Sequence, residues 1–226
     1  MPEPSSYQAV IFDMDGLIVD TENIYYNAYN QTLNELGVDI PREGYVRCVG
    51  HPVEDNSADA VKRYELPIRP EDFLESWMTR FETAISDPDQ IDLMPGFMDL
   101  LAHLQSVNYK LGIASSTPRH RMQTTLQNGV LPHLNVASLN EIFGAQFSGS
   151  DVTNTKPDPE IYHKAARELC VAPEACVVFE DSVAGVQSGK AAGMTVFAVP
   201  NFFTSHQNHE GADRILNSLS EAIGFL

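Results

Sequence analysis

Four short segments of this 226-residue chain carry side chains that could perform chemistry. They contain two acids, two hydroxyls, a lysine and a second pair of acids, namely Asp13 and Asp15, Ser115 and Ser116, Lys156, and Glu180 and Asp181. Carboxylate oxygens hold a hard divalent cation, and hydroxyls and a lysine bind phosphate oxygens. Each segment alone is more simply a turn, a helix cap or a solvated lysine. Their combination predicts a site for a phosphate and a metal ion.

The elements that must position these residues alternate between strand and helix. Short apolar runs predict buried parallel strands at 9–12, 110–114, 175–179 and 195–199, with a further short strand at 145–147. Helical periodicity predicts helices at 97–106, 121–127, 160–169 and 182–192. The pattern predicts an α/β fold, a Rossmann-like doubly wound parallel sheet with helices on both faces. Ligands bind at the carboxyl ends of the strands in such a sheet, so the four segments would share one edge.

Residues 21–93 show a different pattern, with no convincing buried strand. Helices are predicted at 24–36, 55–64 and 71–85, with turn residues rich in Gly and Pro between them. We therefore expect an α/β core formed by 1–20 and 94–226, and a small α-helical cap formed by 21–93 and inserted after the first strand. Trp77 and Phe81 are expected in the core of this cap.

Two local interpretations concern polar residues near these elements. Thr117 precedes Pro118, a position at which Thr is expected to cap a helix N-terminus. His206 and His209 lie in a tail whose spacing is too loose for a metal site, so we interpret it as a surface loop before a final helix.

Composition excludes several classes of partner. Asp and Glu number 31 and Lys and Arg number 14, giving a formal charge of −17. Such a chain is repelled by nucleic acids and by anionic membranes, and no apolar run is long enough to cross a bilayer. Three widely spaced cysteines and a polar N-terminus without a signal-peptide pattern favour a cytoplasmic protein. A monomer is the default expectation.

The same segments match the motifs of a known family in order along the chain. Residues 12–22 read Phe-Asp-Met-Asp-Gly-Leu-Ile-Val-Asp-Thr-Glu, and the later motifs are Ile113-Ala114-Ser115, Lys156-Pro157-Asp158-Pro159 and residues 178–194. Together they closely resemble the haloacid dehalogenase (HAD) superfamily over about residues 8–200. The position of the helical insert resembles the branch that contains β-phosphoglucomutase and related phosphatases.

The resemblance implies a phosphatase of a small phosphorylated metabolite. Asp13 would attack phosphorus and form an aspartyl phosphate, and Asp15 would protonate the leaving oxygen and then activate water. Ser115 and the Ser116 backbone would bind the phosphoryl oxygens. Lys156 would neutralise charge on the nucleophile and on the transferring group.

Mg²⁺ is the cofactor that the resemblance implies. It would be held by the Asp13 carboxylate, the Asp15 backbone carbonyl and Asp181, with Glu180 contributing directly or through water. Two acids that face a phosphoryl group repel it unless a metal and a lysine offset their charge.

Substrate choice is expected to depend on the cap. The candidate substrate-binding residues are Ser116, Gly16, Thr21, Tyr25, Arg47 and His51, with Tyr45 and Glu54 as further cap candidates. Arg47 would supply a cation for an acid group of the substrate, whereas Tyr25 and Tyr45 fit packing between helices equally well. A hexose or pentose phosphate is favoured, while phosphoglycolate and nucleoside monophosphates stay open.

Two alternatives to a phosphatase remain at this point. A β-phosphoglucomutase-like mutase is disfavoured because Tyr25 occupies the position of a histidine in the mutase pattern. The loop around His51 also lacks the lysine and arginine of that pattern. A non-enzymatic phospho-acceptor switch is the remote alternative, because such a module has no helical insert and would not place a general acid beside its acceptor.

Overall fold

A parallel sheet forms the centre of the molecule. The computed structural model describes residues 7–226, so residues 1–6 of the predicted core lie outside the described residues. The six strands follow the order β3-β2-β1-β4-β5-β6, and each neighbouring pair is parallel. Their bounds are β1 Ala9–Phe12, β2 Lys110–Ala114, β3 Phe143–Phe147, β4 Cys176–Glu180, β5 Thr195–Ala198 and β6 Arg214–Ile215. The predicted doubly wound α/β fold is confirmed, although β6 was not predicted.

Eight α-helices accompany the sheet within residues 7–226. In chain order they are α1 Thr21–Asn34, α2 Arg42–Tyr45, α3 Val53–Arg63, α4 Pro70–Ile85, α5 Phe97–Ser106, α6 Arg119–Thr125, α7 Glu160–Glu168 and α8 Val183–Ala191. The helix predicted at 121–127 begins earlier, directly after Pro118, and gives way to a π-helical turn at Leu126–Val130. The final helix is a 3₁₀ segment, Leu219–Phe225.

None of the helices in residues 7–226 combines the length and the apolar character that crossing a bilayer requires.

The register of the central strands brings their carboxyl ends to one level. Phe12 at the end of β1 pairs with Ile113 of β2 and with Phe179 of β4. All four residues of β1 are fully buried, as expected for a strand with helices on both faces. The residues that follow these three positions therefore emerge side by side at one edge of the sheet.

The chain leaves this layer after β1 and returns to it before α5. At the two crossings, the Asp20 N–H donates to the Asp92 carbonyl at 2.9 Å and the Met94 N–H donates to the Ile18 carbonyl at 2.8 Å. Asp20 also caps α1, because its side chain accepts from the Asn23 N–H at 3.2 Å. The cap boundaries predicted at 21 and 93 fall beside these crossings.

An aromatic cluster holds the helices of the insert together. Trp77 and Phe81 of α4 are 0% and 2% exposed, which confirms their predicted place in the cap core. The Trp77 indole N–H donates to the Tyr25 carbonyl of α1 at 3.0 Å. Phe73 and Tyr29 lie edge-to-face with their ring centroids 5.3 Å apart. Burial of these rings supplies most of the driving force for packing α1 against α4.

We predict that Phe73→Ala lowers the free energy of unfolding by about 3 kcal/mol or more, because it removes a fully buried ring and leaves a cavity. Urea unfolding followed by fluorescence would measure this loss, since Trp77 is the chain's one tryptophan and lies in the same cluster. The matched control is Ser76→Ala, an exposed position on the same helix, which should change stability by less than about 0.5 kcal/mol. Equal effects of the two substitutions would contradict the packing described here.

Candidate active site

A cavity of about 680 Å³ lies between the carboxyl edge of the sheet and the cap. This volume is typical of a small-molecule site. Acids from both parts face it, namely Asp13, Asp15, Glu22, Glu54 and Asp181. Lys156 and Ser116 line it from the core, and Tyr25, Tyr45 and His51 line it from the cap. The structure therefore brings most of the predicted site residues to one place.

Lys156 occupies the centre of the core side. Its ammonium donates to Asp13 Oδ1 at 2.5 Å, to Glu180 Oε1 at 2.6 Å and to the Ala114 carbonyl at 2.8 Å. These contacts use all three protons of the ammonium. Burial opposes the charged form of Lys156, but the Asp13 and Glu180 carboxylates outweigh it and raise the pKa above its ordinary value. Lys156 therefore remains a cation at neutral pH.

Glu180 is held rigidly beneath this lysine. The Tyr162 hydroxyl donates to Glu180 Oε1 at 2.5 Å, and the Ser182 hydroxyl donates to Oε2 at 3.1 Å. A Cβ atom at Gly185 would lie 1.8 Å from the carboxyl carbon of Glu180. Only glycine fits at this position, so the start of α8 is shaped around the carboxylate.

Asp15 lies at the cavity wall with its carboxylate turned toward the loop after β2. Its Oδ2 accepts from the Ser115 hydroxyl at 2.9 Å and from the Thr117 hydroxyl at 2.8 Å. The Thr117 N–H in turn donates to Ser115 Oγ at 3.0 Å. Ser115 is fully buried, so its hydroxyl serves Asp15, whereas Ser116 faces the cavity.

The prediction that Thr117 caps a helix is wrong. Pro118 occupies the N-cap position of α6, and no side chain caps this helix. The Thr117 side chain is instead drawn to a carboxylate 102 residues away in the chain. A charged acceptor binds a hydroxyl more strongly than a neutral backbone N–H can, which explains the choice.

Asp181 is positioned by two residues of the C-terminal segment. The Asn201 side-chain amide donates to Asp181 Oδ2 at 2.8 Å and to the Gly16 carbonyl at 3.0 Å. His209 Nε2 lies 2.7 Å from the Asp181 carbonyl oxygen. His209 is buried, so the prediction of a surface loop is wrong at this residue, although His206 is exposed.

Gly16 supports this arrangement from behind and does not line the cavity. Its φ of +71° lies in the left-handed region, and a Cβ atom there would lie 2.6 Å from both Asn201 Nδ2 and Asp181 Oδ2. The predicted substrate contact of Gly16 is therefore replaced by a role in close packing.

Two acids that line the cavity, together with the fully buried Glu180, could hold a metal ion. One oxygen from each of Asp13, Glu180 and Asp181 lies within 4.8 Å of the others. Burial raises the pKa of both Asp13 and Asp181 well above the ordinary value, because each buried charge is opposed by the apolar surroundings and by the neighbouring acid. A hard divalent cation would relieve this repulsion, and oxygen donors are the ligands it prefers. The group therefore fits such a cation.

Tyr25 has a double role at the cap side of the cavity. Its ring stacks on Phe81 with centroids 3.8 Å apart, and its hydroxyl is hydrogen-bonded to the guanidinium of Arg121. Arg121 belongs to core helix α6 and pairs with Glu82 of α4 at 2.5 Å. Tyr25 thus both packs the cap and lines the cavity, and Arg121 links the core to the cap.

Two predicted substrate contacts do not reach the cavity. Arg47 points to Asp59 on α3, with 2.9 Å between the guanidinium and the carboxylate, and is not among the lining residues. Thr21 is fully buried, and its hydroxyl has no partner among the described residues. His51 does line the cavity, from an exposed position on the cap loop.

Residues 10–199 match the family model described as haloacid dehalogenase-like hydrolase. The chain belongs to this family. The resemblance in the sequence is thereby confirmed, and so is the expectation of a HAD-like phosphoric monoester hydrolase. Membership of a hydrolase family argues against the phospho-acceptor switch.

Curated relatives cover nearly the whole chain. Protein CbbY of Cereibacter sphaeroides is 32% identical over 96% of this chain and 94% of its own length. A phosphorylated carbohydrates phosphatase of Thermotoga maritima is 34% identical over 83% and 82%. A probable pseudouridine-5'-phosphatase of Drosophila melanogaster is 32% identical over 93% and 89%.

Solved structures agree in fold. CbbY from Rhodobacter sphaeroides in complex with phosphate has a TM-score of 0.74 at 31% identity, covering 96% of each chain. A putative β-phosphoglucomutase from Thermotoga maritima has a TM-score of 0.78 at 28% identity, covering 96% of this chain and 97% of that one.

Sequence reasoning missed several residues of this hydrolase site. Asn201 follows β5 by three positions, so a search extended a few residues beyond the strand ends would have found it. Tyr162 gave no local signal and Thr117 gave a misleading one, because each acts on a carboxylate more than fifteen residues away in the chain. Glu22 stands inside the first motif, where no role was assigned to it.

Glu22 is an unpartnered acid of the cavity. The structure shows no hydrogen bond or ion pair to its carboxylate from any part of residues 7–226, and the side chain is half-buried. Burial, followed by the negative charges of Asp15 and Asp20, raises its pKa from 4.5 to about 8. Glu22 is therefore largely protonated at neutral pH in the free protein.

We predict that Glu22→Gln removes part of the loss of stability at alkaline pH. Between pH 4.5 and about 8, the folded protein holds the Glu22 proton more tightly than the unfolded chain, so stability falls as pH rises through this window. Glutamine does not titrate. The free energy of unfolding of the variant should therefore exceed that of the parent by something on the order of 2 kcal/mol at pH 8–9, and the two should differ little near pH 5. Urea unfolding of metal-free protein at several pH values measures the difference.

The control for this experiment is Glu43→Gln, at an exposed position on α2 outside the cavity. Its stability should follow that of the parent at every pH. A Glu22→Gln curve parallel to the parent curve would show that burial does not hold the proton on Glu22.

Proposed function

We propose that this hydrolase is a Mg²⁺-dependent phosphatase of a small phosphorylated metabolite and that it acts through a phosphate transferred to Asp13. The observation that carries the proposal is the buried Lys156 between Asp13 and Glu180, with Asp15 and Asp181 beside it at one cavity wall. A nucleophile, an acid/base neighbour, a charge-balancing lysine and a metal-binding group are the parts that phosphoryl transfer requires.

In the first step, a carboxylate oxygen of Asp13 attacks phosphorus. The bond from phosphorus to the ester oxygen breaks, and Asp15 gives its proton to that leaving oxygen. Asp13 Oδ2 is free for this attack, because Lys156 contacts only Oδ1. The lysine thereby fixes the orientation of the nucleophile and offsets its charge.

In the second step, water attacks the phosphorus of the aspartyl phosphate. Asp15 accepts a proton from this water, the bond from phosphorus to Asp13 breaks, and inorganic phosphate leaves. The Ser115 and Thr117 hydroxyls hold the Asp15 carboxylate at the wall in the free protein. The Asp15 carboxylate would reach the leaving oxygen only after these two hydroxyls let it turn toward the substrate.

Asp13, Asp181 and the Asp15 backbone carbonyl would hold Mg²⁺, with Glu180 acting through water. Both oxygens of Glu180 already accept hydrogen bonds, which favours this indirect contribution. When bound, Mg²⁺ offsets the negative charge of the phosphoryl group and of the acids around it.

Ser116 is the first of three consecutive residues of the loop after β2 that line the cavity, and its backbone is the proposed contact for the phosphoryl oxygens. The substrate is proposed to be a hexose, pentose or nucleoside phosphate. The names of two relatives, a phosphorylated carbohydrates phosphatase and a probable pseudouridine-5'-phosphatase, favour this class.

A mutase is the second candidate because one similar structure is a putative β-phosphoglucomutase. A mutase passes the phosphate from Asp13 to a sugar that already carries a phosphate. The cavity would then have to hold two phosphates at once. Incubation with β-glucose 1-phosphate distinguishes the two reactions. We expect release of phosphate, and formation of glucose 6-phosphate at a higher rate would overturn the phosphatase assignment.

We predict that Asp13→Asn lowers kcat/KM for 4-nitrophenyl phosphate by at least about 10³-fold, because an amide is a poor nucleophile. Asp15→Asn should lower it by about 10²-fold or more, because proton transfer to the leaving group and from water is lost. Initial rates with and without Mg²⁺ measure both effects.

The control is Asp89→Asn, an exposed acid in the turn that follows α4, which should retain the activity of the parent. If the Asp13 and Asp15 variants hydrolysed the aryl phosphate as fast as the parent, the mechanism proposed here would be wrong.

A further inference from the structure

The cavity offers no spare cation to a second anionic group. Among the residues that line it, Lys156 is the one lysine or arginine, and its three protons are already donated to Asp13, Glu180 and the Ala114 carbonyl. Five carboxyl groups face the same space. The phosphoryl group can be received by the metal-binding group, but a second phosphate or a carboxylate would find no free lysine or arginine among the lining residues.

Cations close to the cavity are committed elsewhere. Arg47 pairs with Asp59, and Arg121 pairs with Glu82. Arg42 lies over the Phe202 ring at 4.6 Å from its centroid. These guanidinium groups therefore hold the cap and its contact with the core, and none of them lines the cavity.

On the cap side of the cavity, two groups could favour an anion, and both are offset. Helix α3 begins at the cavity, but Glu54 and Asp55 occupy its first turn and oppose the positive end of the helix dipole. His51 is exposed on the cap loop, where solvent screens any charge it carries.

Glu22 favours a particular kind of group in this space, namely a hydroxyl. It lies between the reacting and the cap sides of the cavity, with Asp15, Tyr25 and Tyr45 as electrostatic neighbours, and its carboxyl group has no partner in the described chain. A carboxyl group readily forms a hydrogen bond with a hydroxyl.

We propose that the substrate carries a single phosphate on an uncharged, hydroxyl-rich leaving group, and that Glu22 is the specificity residue that binds one of its hydroxyls. This inference rests on the proposed function and narrows it. Sugar and nucleoside monophosphates fit this description, whereas bisphosphates and phosphorylated carboxylic acids do not. The tyrosines beside Glu22 supply apolar faces for the carbon skeleton.

Matched substrate pairs test the charge of the leaving group. The pairs are 2-hydroxyethyl phosphate with phosphoglycolate, sorbitol 6-phosphate with 6-phosphogluconate, and fructose 6-phosphate with fructose 1,6-bisphosphate. In the first two pairs a CH₂OH group is exchanged for a carboxylate on the same skeleton. We expect kcat/KM, from initial rates of phosphate release, to be at least about tenfold higher for the neutral member of each pair.

Charge variants test whether the cavity residues set this preference. Glu22→Lys and Glu54→Lys each place a cation in the cavity and should reduce the preference by about tenfold. Glu54 is exposed, so its variant keeps the test valid if Glu22→Lys fails to fold. Glu43→Lys adds the same charge outside the cavity and should leave the ratio as in the parent.

The hydroxyl contact has its own readout. Glu22→Ala should lower the ratio of kcat/KM for fructose 6-phosphate over 4-nitrophenyl phosphate by about tenfold, and Glu22→Gln should restore most of it because an amide still binds a hydroxyl. An unchanged ratio in Glu22→Ala would remove Glu22 from substrate recognition.

The inference and the proposed function fail differently. Asp13-dependent hydrolysis of the anionic members at equal or higher kcat/KM would overturn the inference and leave the phosphatase intact. Absence of Asp13-dependent hydrolysis of every pair and of the aryl phosphate would overturn the proposed function itself.

Discussion

The buried ammonium of Lys156 is the interaction on which the rest of the site depends. A charge removed from water must be paired and fully hydrogen-bonded, and here two carboxylates and a carbonyl meet that requirement. The three partners are Asp13 after β1, Ala114 at the end of β2 and Glu180 at the end of β4. They converge only because parallel pairing in register brings these strand ends to one level. The sheet thus creates the electrostatic centre that the chemistry uses.

This centre in turn constrains residues that carry no charge. Glu180 must not move if Lys156 is to stay paired, so Tyr162 donates to it and α8 presents Gly185 where any side chain would collide with it. On the other side, Asp181 is held by Asn201, and the same amide leaves room only for glycine at position 16. Rigid placement of this kind is what electrostatic stabilisation of phosphoryl transfer needs, because dipoles that are already oriented cost little to reorganise during the reaction. Gly16 and Gly185 are therefore required because a larger residue would collide with the groups that hold the charged side chains in place.

The sequence was informative where geometry follows from strand register and uninformative where it depends on side-chain partners. Asp13 and Asp181 could be predicted because ligands collect at the carboxyl ends of parallel strands, and Lys156 because it stands in a motif of the family that the sequence resembles. The sequence could not show that Arg47 turns away from the cavity. Its partner Asp59 lies twelve positions away on α3, and no local spacing rule pairs them. Thr117 looked like a helix cap by local propensity, but a distant carboxylate outcompeted the backbone. Strand β6 has two residues, too few for a periodic pattern, and Asn201 needed only a longer search beyond β5.

The acidity of the chain and the specificity of its cavity act over different distances. A formal charge of −17 repels every phosphate ester at long range, but salt at physiological strength screens exposed charges beyond about 8 Å. Overall charge therefore slows the encounter with every anion, and screening leaves it little influence on the choice among them. At the buried wall of the cavity, screening is weak, and each anionic group needs a partner of its own. In the proposed reaction, the transferring phosphate would meet the acid cluster that can hold a metal ion, whereas the leaving group would meet Glu22 and two tyrosines. Selection between substrates must then arise from this local pairing, which the net charge of the protein does not reveal.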